Sequence, residues 1–360
     1  MNSTEDYVAE YIERICYNYL GPTICIIGIL SNVLNLLILT ERSLKESPYS
    51  YLTAMAVTDL CALFQALLFM LFSKNNPTSY YWKFYDAHIF YPIINICTNS
   101  SVWLIVLLTV ERFLFVRFPF WGKVNLNRKG SHIKIALVMV IMVIINIPRF
   151  LTFTVIYLPE KNAYILHSQP FRHSSVNYAI SWFYSTVINF IPLFVLCISN
   201  IYLLVAVHQA RSHRKLLTNQ NNNKPTWHRD QMRLTITLIS IVFLFIACIL
   251  PNAFSDRPVA HALFGKEGES MKDFGSNSRS YRILQVLTNF LLWCNLSLNF
   301  VLYCAFNTKF VQVFKKMLNR WAKKIHERTE AMTSFQAGEM NSSELSLGHR
   351  QTHLSLTRTT

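Results

Sequence analysis

The sequence is short of charged residues and of glycine. Only 15% of its 360 residues are charged and nine are glycine, whereas 52% are hydrophobic. Soluble domains usually contain about a quarter of charged residues, so this is the composition of a membrane protein. Length alone would suggest two soluble domains. However, apolar runs of about 20 residues recur along most of the chain, and each can cross a hydrocarbon core, so we predict one bundle domain with tails.

Patterns typical of two other classes of membrane protein are also missing. The apolar runs contain neither a paired acid nor a His-x-x-x-His pattern, which an intramembrane hydrolase needs. The sequence has no repeated half and few runs interrupted by glycine, which argues against a transporter. An ion-coupled transporter, with Asp59 as its ion site, remains an alternative.

Seven apolar runs are predicted to span the membrane. They are centred roughly on 20–40, 49–72, 88–116, 132–157, 177–207, 232–254 and 282–304. The polar segment before the first run lacks a basic n-region and a small-residue cleavage site, so we expect a first span and no cleaved signal peptide. The prediction is an all-α membrane protein, a seven-transmembrane helix bundle over 19–304. A tail at 1–18 precedes it, and an amphipathic cytoplasmic helix at 305–325 and a disordered tail at 326–360 follow.

Basic residues in the connections predict the orientation, because lysine and arginine are retained on the cytoplasmic side. The segments 41–48, 117–134, 208–233 and 305–328 hold 20 of them, against 10 in 1–18, 73–88, 158–176 and 256–282. The amino terminus is therefore predicted outside, which agrees with a candidate glycosylation sequon at Asn2. The net charge of +15 then indicates a cytoplasmic face that meets anionic lipid and a protein partner, and no nucleic acid. Only Cys16 of the eight cysteines lies in an outside segment, so we expect no extracellular disulfide within the chain.

Polar residues inside the apolar runs carry the most information. A carboxylate such as Asp59 in the second run must be neutralised by a proton, a cation or hydrogen-bond donors. Oxygen ligands could come from the first, third and seventh runs, in the residues Asn32, Ser101, Asn295 and Asn299. Together they suggest a small water-filled site for a monovalent cation or a proton. Alternatively, each of them only hydrogen-bonds a neighbouring helix.

The third run ends in TVERFLFVRFP, which places Glu111 beside Arg112. Glu111 can pair with Arg112 at rest, and Arg112 carries a fork of donors that suits the backbone carbonyls of an inserted peptide. We interpret the pair as a candidate switch; the alternative is an arginine that reaches the interface from a helix end. After the seventh run, apolar residues recur at helical spacing among lysines in FNTKFVQVFKKMLNRWAKKI, which predicts an interfacial amphipathic helix.

Taken in order, these motifs resemble those of the rhodopsin-like (class A) G-protein-coupled receptors. The order comprises Asn32, MAVTDL in the second run, Glu111-Arg112-Phe113, Pro192, Pro251, and Asn299 to Tyr303 where the family has Asn-Pro-x-x-Tyr. The match covers about residues 20 to 320. Within that family, GILSNVLNLLILTERSL, SYLTAMAVTDL, TVERFLFVRFP and LNFVLYCAFNTKF are similar to the invertebrate FMRFamide-receptor-like neuropeptide receptors.

The resemblance implies a receptor of the plasma membrane, not an enzyme, that binds a neuropeptide outside and activates heterotrimeric G proteins inside. Arg112 would receive the C-terminal helix of the G-protein α subunit, with Tyr303 swinging in behind it. Glu111 would restrain Arg112 at rest, and Phe113 completes the motif. Arrestin, receptor kinases and membrane lipids are further partners that the family implies.

The resemblance also implies an ion site and two helix distortions. The family's sodium site would consist of Asp59, Ser101, Asn295 and Asn299, with Na⁺ as an allosteric ion and no other cofactor. Pro192 and Pro251 would supply the distortions about which spans five and six move.

Two departures from the family pattern change local expectations. Ala87 stands where the family has the cysteine that ties span three to the second outside loop, so we expect the loop at 158–176 to be more mobile than usual. Ile249 occupies the position of the usual tryptophan two residues before Pro251.

The residues that face the outer cavity indicate the class of ligand. Ile94 stands where amine receptors carry an aspartate, which argues against a biogenic amine. By alignment the cavity is faced by Asn95, Thr98, Arg149, Tyr184, Asn252, Asp256, Gln285 and Asn289. This mixture suits a peptide backbone and a terminal amide, so we predict a receptor for a short, amidated, FMRFamide-like neuropeptide. A non-peptide ligand remains the alternative, and Arg149 could pair with an acidic ligand group or with lipid phosphate.

Overall fold

Seven long apolar helices dominate the structure. The computed structural model describes residues 3–44, 46–125, 127–216, 226–265, 274, 279–330 and 332. The helices that can cross a membrane, numbered here span one to span seven, are Tyr7–Leu39, Ser47–Ser73, Tyr80–Arg117, Arg128–Leu151, Ser175–Gln209, Arg233–Ser255 and Ser280–Phe306. The predicted seven-helix membrane bundle is therefore confirmed. The segment predicted as a tail at 1–18 is helical from Ser3.

Most spans consist of several helical segments, and the full helices extend beyond the span bounds given above in spans one, five, six and seven. Span one comprises Ser3–Ile15, a π turn at Cys16–Leu20 and Gly21–Leu39, and span two comprises Ser47–Leu68 and a π turn at Phe69–Ser73. Span three comprises Tyr80–Tyr85, a π turn at Asp86–Phe90 and Tyr91–Arg117, and span four comprises Arg128–Asn146 and a 3₁₀ turn at Ile147–Leu151. Span five comprises Ser175–Ser185, a π turn at Thr186–Phe190 and Ile191–Leu216, span six is Thr226–Ser255, and span seven is Arg279–Phe306.

Shorter elements connect the spans. Helices lie at Pro119–Asn125 and Arg257–Phe264, 3₁₀ turns at Pro159–Lys161 and Pro170–His173, and strands β1 at Phe153–Leu158 and β2 at Ala163–Ser168. A helix over 308–330 follows span seven, which confirms the predicted helix there. Two compact units divide at Phe310, and the first of them contains all seven spans and both strands.

The chemistry of the backbone explains why the apolar runs are helices. In lipid every N–H and C=O needs a partner, and a helix supplies one within its own segment. Local residues then fix where helices begin. Asn127 accepts a hydrogen bond from the backbone N–H of Gly130 at 2.8 Å, and Ser174 accepts one from Asn177 at 3.1 Å, so each side chain caps the start of a span.

A π turn precedes a proline in spans one, three and five. The turns at Cys16–Leu20, Asp86–Phe90 and Thr186–Phe190 each end two residues before Pro22, Pro92 and Pro192, respectively. Proline lacks an N–H and its ring conflicts with the carbonyl four residues earlier, so the preceding turn widens. The wider turn decides which side chains of the segment before it face the bundle. Pro251, by contrast, lies inside the helix of span six.

Span four ends earlier than predicted. The run expected to be helical as far as residue 157 leaves the helix after Asn146, forms a 3₁₀ turn and continues as strand β1. An apolar run by itself does not distinguish a strand from a helix. The β-branched residues Thr154, Val155 and Ile156 favour the strand.

The connection between spans four and five is a β-hairpin. Strands β1 and β2 are antiparallel, with Phe153 opposite Ser168 and Leu158 opposite Ala163. Asn162 in the turn has a left-handed φ of 45°, and its side-chain oxygen accepts a hydrogen bond from Tyr157 at 2.6 Å. The sequence did not predict this hairpin, whereas the expected mobility of the segment 158–176 stays a prediction. All eight cysteines of the chain are free thiols.

Polar contacts join the beginning of span one to spans two and seven. Glu13 forms ion pairs with Lys74 and with Arg282, each at 3.2 Å. Further along, the Asn32 amide donates hydrogen bonds to the carbonyls of Gly28 and Leu296, both at 2.9 Å. For Asn32, the alternative of a helix-to-helix hydrogen bond is therefore the one the structure supports.

Candidate functional site: a ligand cavity, a buried carboxylate and a coupling end

A cavity of about 960 Å³ opens within the bundle at the end where span one begins, which we call the cavity end. All eight residues predicted to face the outer cavity line it: Asn95, Thr98, Arg149, Tyr184, Asn252, Asp256, Gln285 and Asn289. They come from spans three to seven, so the fold brings together positions that are up to 194 residues apart in sequence.

Amide side chains connect three spans at the wall of this cavity. The Asn99 amide donates to the Tyr184 hydroxyl at 2.7 Å, and that hydroxyl donates to the Asn95 side-chain oxygen at 3.1 Å. Asn99 also contacts the Asn146 side-chain oxygen at 3.4 Å. The guanidinium of Arg149 lies over the ring of Tyr184, 4.3 Å from its centroid. Span five thus presents Tyr184 with its orientation fixed from spans three and four.

Asp256 is the carboxylate of the cavity, and two donors of span five hold it. Its Oδ2 accepts hydrogen bonds from the Ser185 hydroxyl at 2.5 Å and from the Asn189 amide at 2.7 Å. Burial raises the pKa of Asp256 above its usual range, and the two hydrogen bonds and nearby Arg149 act in the opposite direction. Ser185 directly precedes the π turn at Thr186–Phe190 and Asn189 lies within it, so the widened turn sets the relative directions of these two donors.

The cavity also contains residues that the sequence did not single out. Tyr17, Tyr91, Arg172, Arg257 and Tyr281 all contribute to its lining. Ile249 and Trp293 lie at its floor, where Trp293 packs edge-on against Tyr17 with centroids 5.5 Å apart. No signal in a loop sequence such as 158–176 could have shown that Arg172 points into the bundle.

Asp59 is fully buried in the middle of the bundle. The Ser101 hydroxyl donates to its Oδ1 at 2.7 Å, and the Asn299 amide donates to its Oδ2 at 2.8 Å. Among the described residues, Asn295 forms no hydrogen bond with Asp59, although it was predicted beside it. The carboxylate and hydroxyl oxygens fit a small hard cation, because such ions prefer oxygen ligands.

The opposite end of the bundle, which we call the Arg112 end, contains a second buried carboxylate. The Tyr51 hydroxyl donates to Oε1 of Glu111 at 2.6 Å, the Lys134 ammonium lies 2.7 Å from the same oxygen, and the Ser47 hydroxyl donates to Oε2 at 3.0 Å. Ser47 also contacts Ser131 of span four. Arg112 interacts electrostatically with this carboxylate and with Glu46 and Tyr49. The restraint of Arg112 by Glu111 at rest therefore stays a prediction, and the structure adds Lys134 as a second cation beside Glu111.

Arg112 itself is buried, as is Tyr303. The guanidinium of Arg112 lies 5.6 Å from the ring centroid of Phe115. Phe113 packs edge-on against Tyr202 of span five, with centroids 4.7 Å apart, while the ring of Tyr303 lies 5.4 Å from that of Phe310. Of the four residues of the predicted switch, Glu111 and Phe113 thus contact other spans, and Arg112 and Tyr303 are buried.

The sequence of the chain, with these sites in order along seven spans, was compared with those of known protein families. A model of the family described as 7 transmembrane receptor (rhodopsin family) matches residues 32–303. The chain belongs to this family. The predicted resemblance to class A receptors and the prediction that the protein is not an enzyme are confirmed by this match. The receptor is a multi-pass membrane protein, and its family implies a ligand and a G protein as partners.

Three curated relatives of the receptor come from a nematode and a fly. It is 25% identical to a probable G-protein coupled receptor of Caenorhabditis elegans over 327 residues, 87% of this chain and 72% of the relative. It is 27% identical to the sex peptide receptor of Drosophila melanogaster, covering 88% and 75% of the two chains. It is 22% identical to the FMRFamide receptor of the same fly, covering 90% and 57%.

Proposed function

We propose that the receptor binds a short extracellular neuropeptide, amidated and FMRFamide-like, and activates a heterotrimeric G protein. The observation that carries this proposal is the cavity of about 960 Å³ with its asparagine, glutamine and hydroxyl side chains. A peptide backbone alternates donors and acceptors, and an amide side chain offers both. The similarity to receptors named for FMRFamide and for sex peptide supports a peptide ligand.

In this proposal the cavity end faces the outside of the plasma membrane and the Arg112 end faces the cytoplasm. The support is the excess of lysine and arginine in the connections at the Arg112 end. Glycosylation at Asn2 would agree with it, but Asn2 lies outside the described residues. The helix over 308–330 would lie on the anionic inner leaflet and bind membrane lipids through its lysines.

Signalling would be a shift between two populations of the receptor. The peptide would stabilise a conformation in which the Arg112 end is open, and the G protein would stabilise the same conformation from the other side. Spans five and six would move about the irregularities at Pro192 and Pro251. Opening would expose the donors of Arg112 to backbone carbonyls of the Gα C-terminal helix, with Tyr303 moving in behind it. Arrestin and receptor kinases would then recognise the same open state.

Na⁺ is proposed as an allosteric ion beside Asp59. The carboxylate, the Ser101 hydroxyl and the side-chain oxygens of Asn295 and Asn299 would hold it. A cation would offset the cost of a buried charge that only two hydrogen bonds now stabilise. Because the ion would fit the closed bundle best, sodium would lower the affinity for agonist.

The test is a G-protein activation assay in cells that express the receptor. It would be screened with a library of amidated invertebrate neuropeptides that includes the Arg-Phe-amide series, and cells expressing the Arg112→Ala receptor at equal surface density are the control. We expect activation by at least one peptide at nanomolar concentration in the wild type only. If no peptide of the library activates a receptor that is present at the cell surface, the FMRFamide-like assignment is excluded and a non-peptide ligand is favoured.

A further inference from the structure

We propose that the ligand carries a carboxylate, which binds between Arg149 and Arg172 at the wall of the cavity. The peptide nature of the ligand rests on the proposed function above, whereas its negative charge follows from the cavity alone. In an amidated peptide the acidic group is an aspartate or glutamate side chain. A free carboxyl terminus presents the same two oxygens to a guanidinium, and a preference for it would keep the peptide ligand but replace its terminal amide by an acid.

Position is the first support for this inference. Arg149 comes from the 3₁₀ turn at the end of span four, and Arg172 comes from the 3₁₀ turn that follows strand β2. Both line the same cavity. Arg172 lies over the ring of Phe153, 4.2 Å from its centroid, as Arg149 lies over Tyr184 at 4.3 Å. The two rings hold each guanidinium by one face. Arg149 also hydrogen-bonds Tyr184, but a guanidinium carries five N–H donors, so each arginine has more donors than these contacts use.

The balance of charge in the cavity is the second support. Among the described residues, no carboxylate lies within ion-pair distance of either arginine. Asp256 is the one carboxylate among the described lining residues; it interacts electrostatically with Arg149, and its Oδ2 accepts hydrogen bonds from Ser185 and Asn189. A third arginine, Arg257, also lines the cavity and adds to its positive potential. An excess of one charge sign in a concave site attracts a ligand group of the opposite sign.

The electrostatic cost of the arrangement agrees with this interpretation. Burial lowers the pKa of Arg172 to about 10, and the neighbouring charges of Arg257 and Arg149 act in the same direction. Cations that destabilise one another in the empty receptor gain most from an anion that binds them both. A fork of donors on each arginine would also orient the carboxylate, so it would contribute to specificity as well as to affinity.

The experiment uses matched peptides on matched receptors. Each peptide that activates the wild type is synthesised in two further forms, one with every Asp and Glu replaced by Asn and Gln, and one with the carboxyl-terminal group exchanged between amide and free acid. We expect one of these exchanges to change potency at least about tenfold in favour of the acid, which identifies its source. In the Arg149→Gln and Arg172→Gln receptors, the ratio of the potencies of the acidic and neutral forms should fall towards one.

Two further variants separate charge from folding. Arg172→Lys retains the charge and should keep part of the preference for the acid. Lys161→Gln removes an exposed cation from the hairpin turn, outside the cavity, and should keep all of it. Active peptides whose potency is the same in acidic and neutral forms on the wild type would overturn the inference.

If no peptide activates the receptor, the proposed function fails and the charge is tested directly. Purified receptor is heated in detergent with millimolar succinate or with sodium chloride of equal ionic strength. We expect succinate to raise the melting temperature of the wild type and to have no effect on the Arg149→Gln, Arg172→Gln double variant. If the wild type has the same melting temperature in succinate and in sodium chloride, the inference is overturned.

Discussion

Among single residues, Arg112 is the one on which signalling should depend most directly. Its side chain is buried at the Arg112 end of the bundle. Replacing it with alanine removes the donors proposed for the G protein, so we expect Arg112→Ala to reach the cell surface and to lose coupling. Arg117→Ala removes an exposed arginine from the same helix and serves as the control. Normal G-protein activation by Arg112→Ala would remove Arg112 from the proposed mechanism.

Lys134 has a role that only the structure suggests. It binds the Glu111 carboxylate at 2.7 Å and so competes with the neighbouring arginine for that carboxylate. In Lys134→Met, Glu111 would lose its cation and become available to pair with Arg112. We therefore expect basal and maximal G-protein activation to fall severalfold at equal surface expression. Lys129→Met, which removes an exposed lysine of the same span, should leave both unchanged, and a rise of basal activity in Lys134→Met would contradict this assignment.

Asp59 is the residue at which sodium dependence should be decided. Asn lacks the negative charge but keeps the size of the side chain, so Asp59→Asn should abolish any effect of sodium on agonist affinity. The measurement is agonist binding to membranes in sodium chloride and in a chloride salt of a large organic cation. Asp86→Asn is the control, because Asp86 is a buried carboxylate of span three bound by Ser73 at 2.7 Å, away from Asp59. A sodium effect that persists in Asp59→Asn would place the ion elsewhere.

At this scale the sequence predicted which residues matter better than it predicted their partners. A buried carboxylate must have donors, so the contacts of Asp59 with Ser101 and Asn299 could be predicted from the sequence. The partner of Glu111 could not be predicted, because Lys134 meets it only through the packing of span four against span three. Arg172 was missed for a similar reason, since the direction of a loop side chain depends on the hairpin that precedes it.

At the scale of elements, helices were predictable and their irregularities were not. An apolar run of about 20 residues has no alternative to a helix in lipid, so each span followed from composition. The π turns were not predicted, although each of three precedes a proline that the sequence displays. Strand β1 was mistaken for the end of span four, because the apolar run does not change in hydropathy where the helix stops.

The turn of the hairpin offers a test of its contribution to the ligand cavity. Asn162 adopts a left-handed φ of 45°, which costs a β-branched residue about 1–2 kcal/mol and glycine nothing. Asn162→Val should therefore weaken the hairpin that positions Phe153 and Arg172, and lower agonist potency severalfold. Asn162→Gly loses the same side-chain hydrogen bond without the strain and should lower potency less. Equal potency of the valine and glycine variants would show that the hairpin does not position the cavity wall.

At the scale of the whole molecule, the orientation in the membrane remains to be measured. The distribution of basic residues predicts the amino terminus outside, and the seven spans then place the carboxyl terminus in the cytoplasm. An epitope tag before Met1 should be stained by antibody on intact cells, while a tag after Thr360 should be stained only after permeabilisation. The reverse pattern would place the cavity in the cytoplasm and exclude an extracellular ligand.

The bundle as a whole was predictable because lipid permits few folds and because the motifs occur in a fixed order. The volume and lining of the cavity were less predictable, because they depend on how seven helices and a hairpin pack together. Even so, all eight side chains assigned to the outer cavity line it, which reflects the constancy of helix positions in the family.

The free thiols have a practical consequence for handling the receptor. All eight cysteines are unpaired, and Ala87 occupies the place of a family cysteine, so the hairpin is anchored by hydrogen bonds such as that from Tyr164 to Thr78. A reductant therefore has no covalent link to break at the mouth of the cavity. Agonist binding should survive dithiothreitol, and the receptor can be synthesised in reducing, cell-free mixtures without an oxidative folding step.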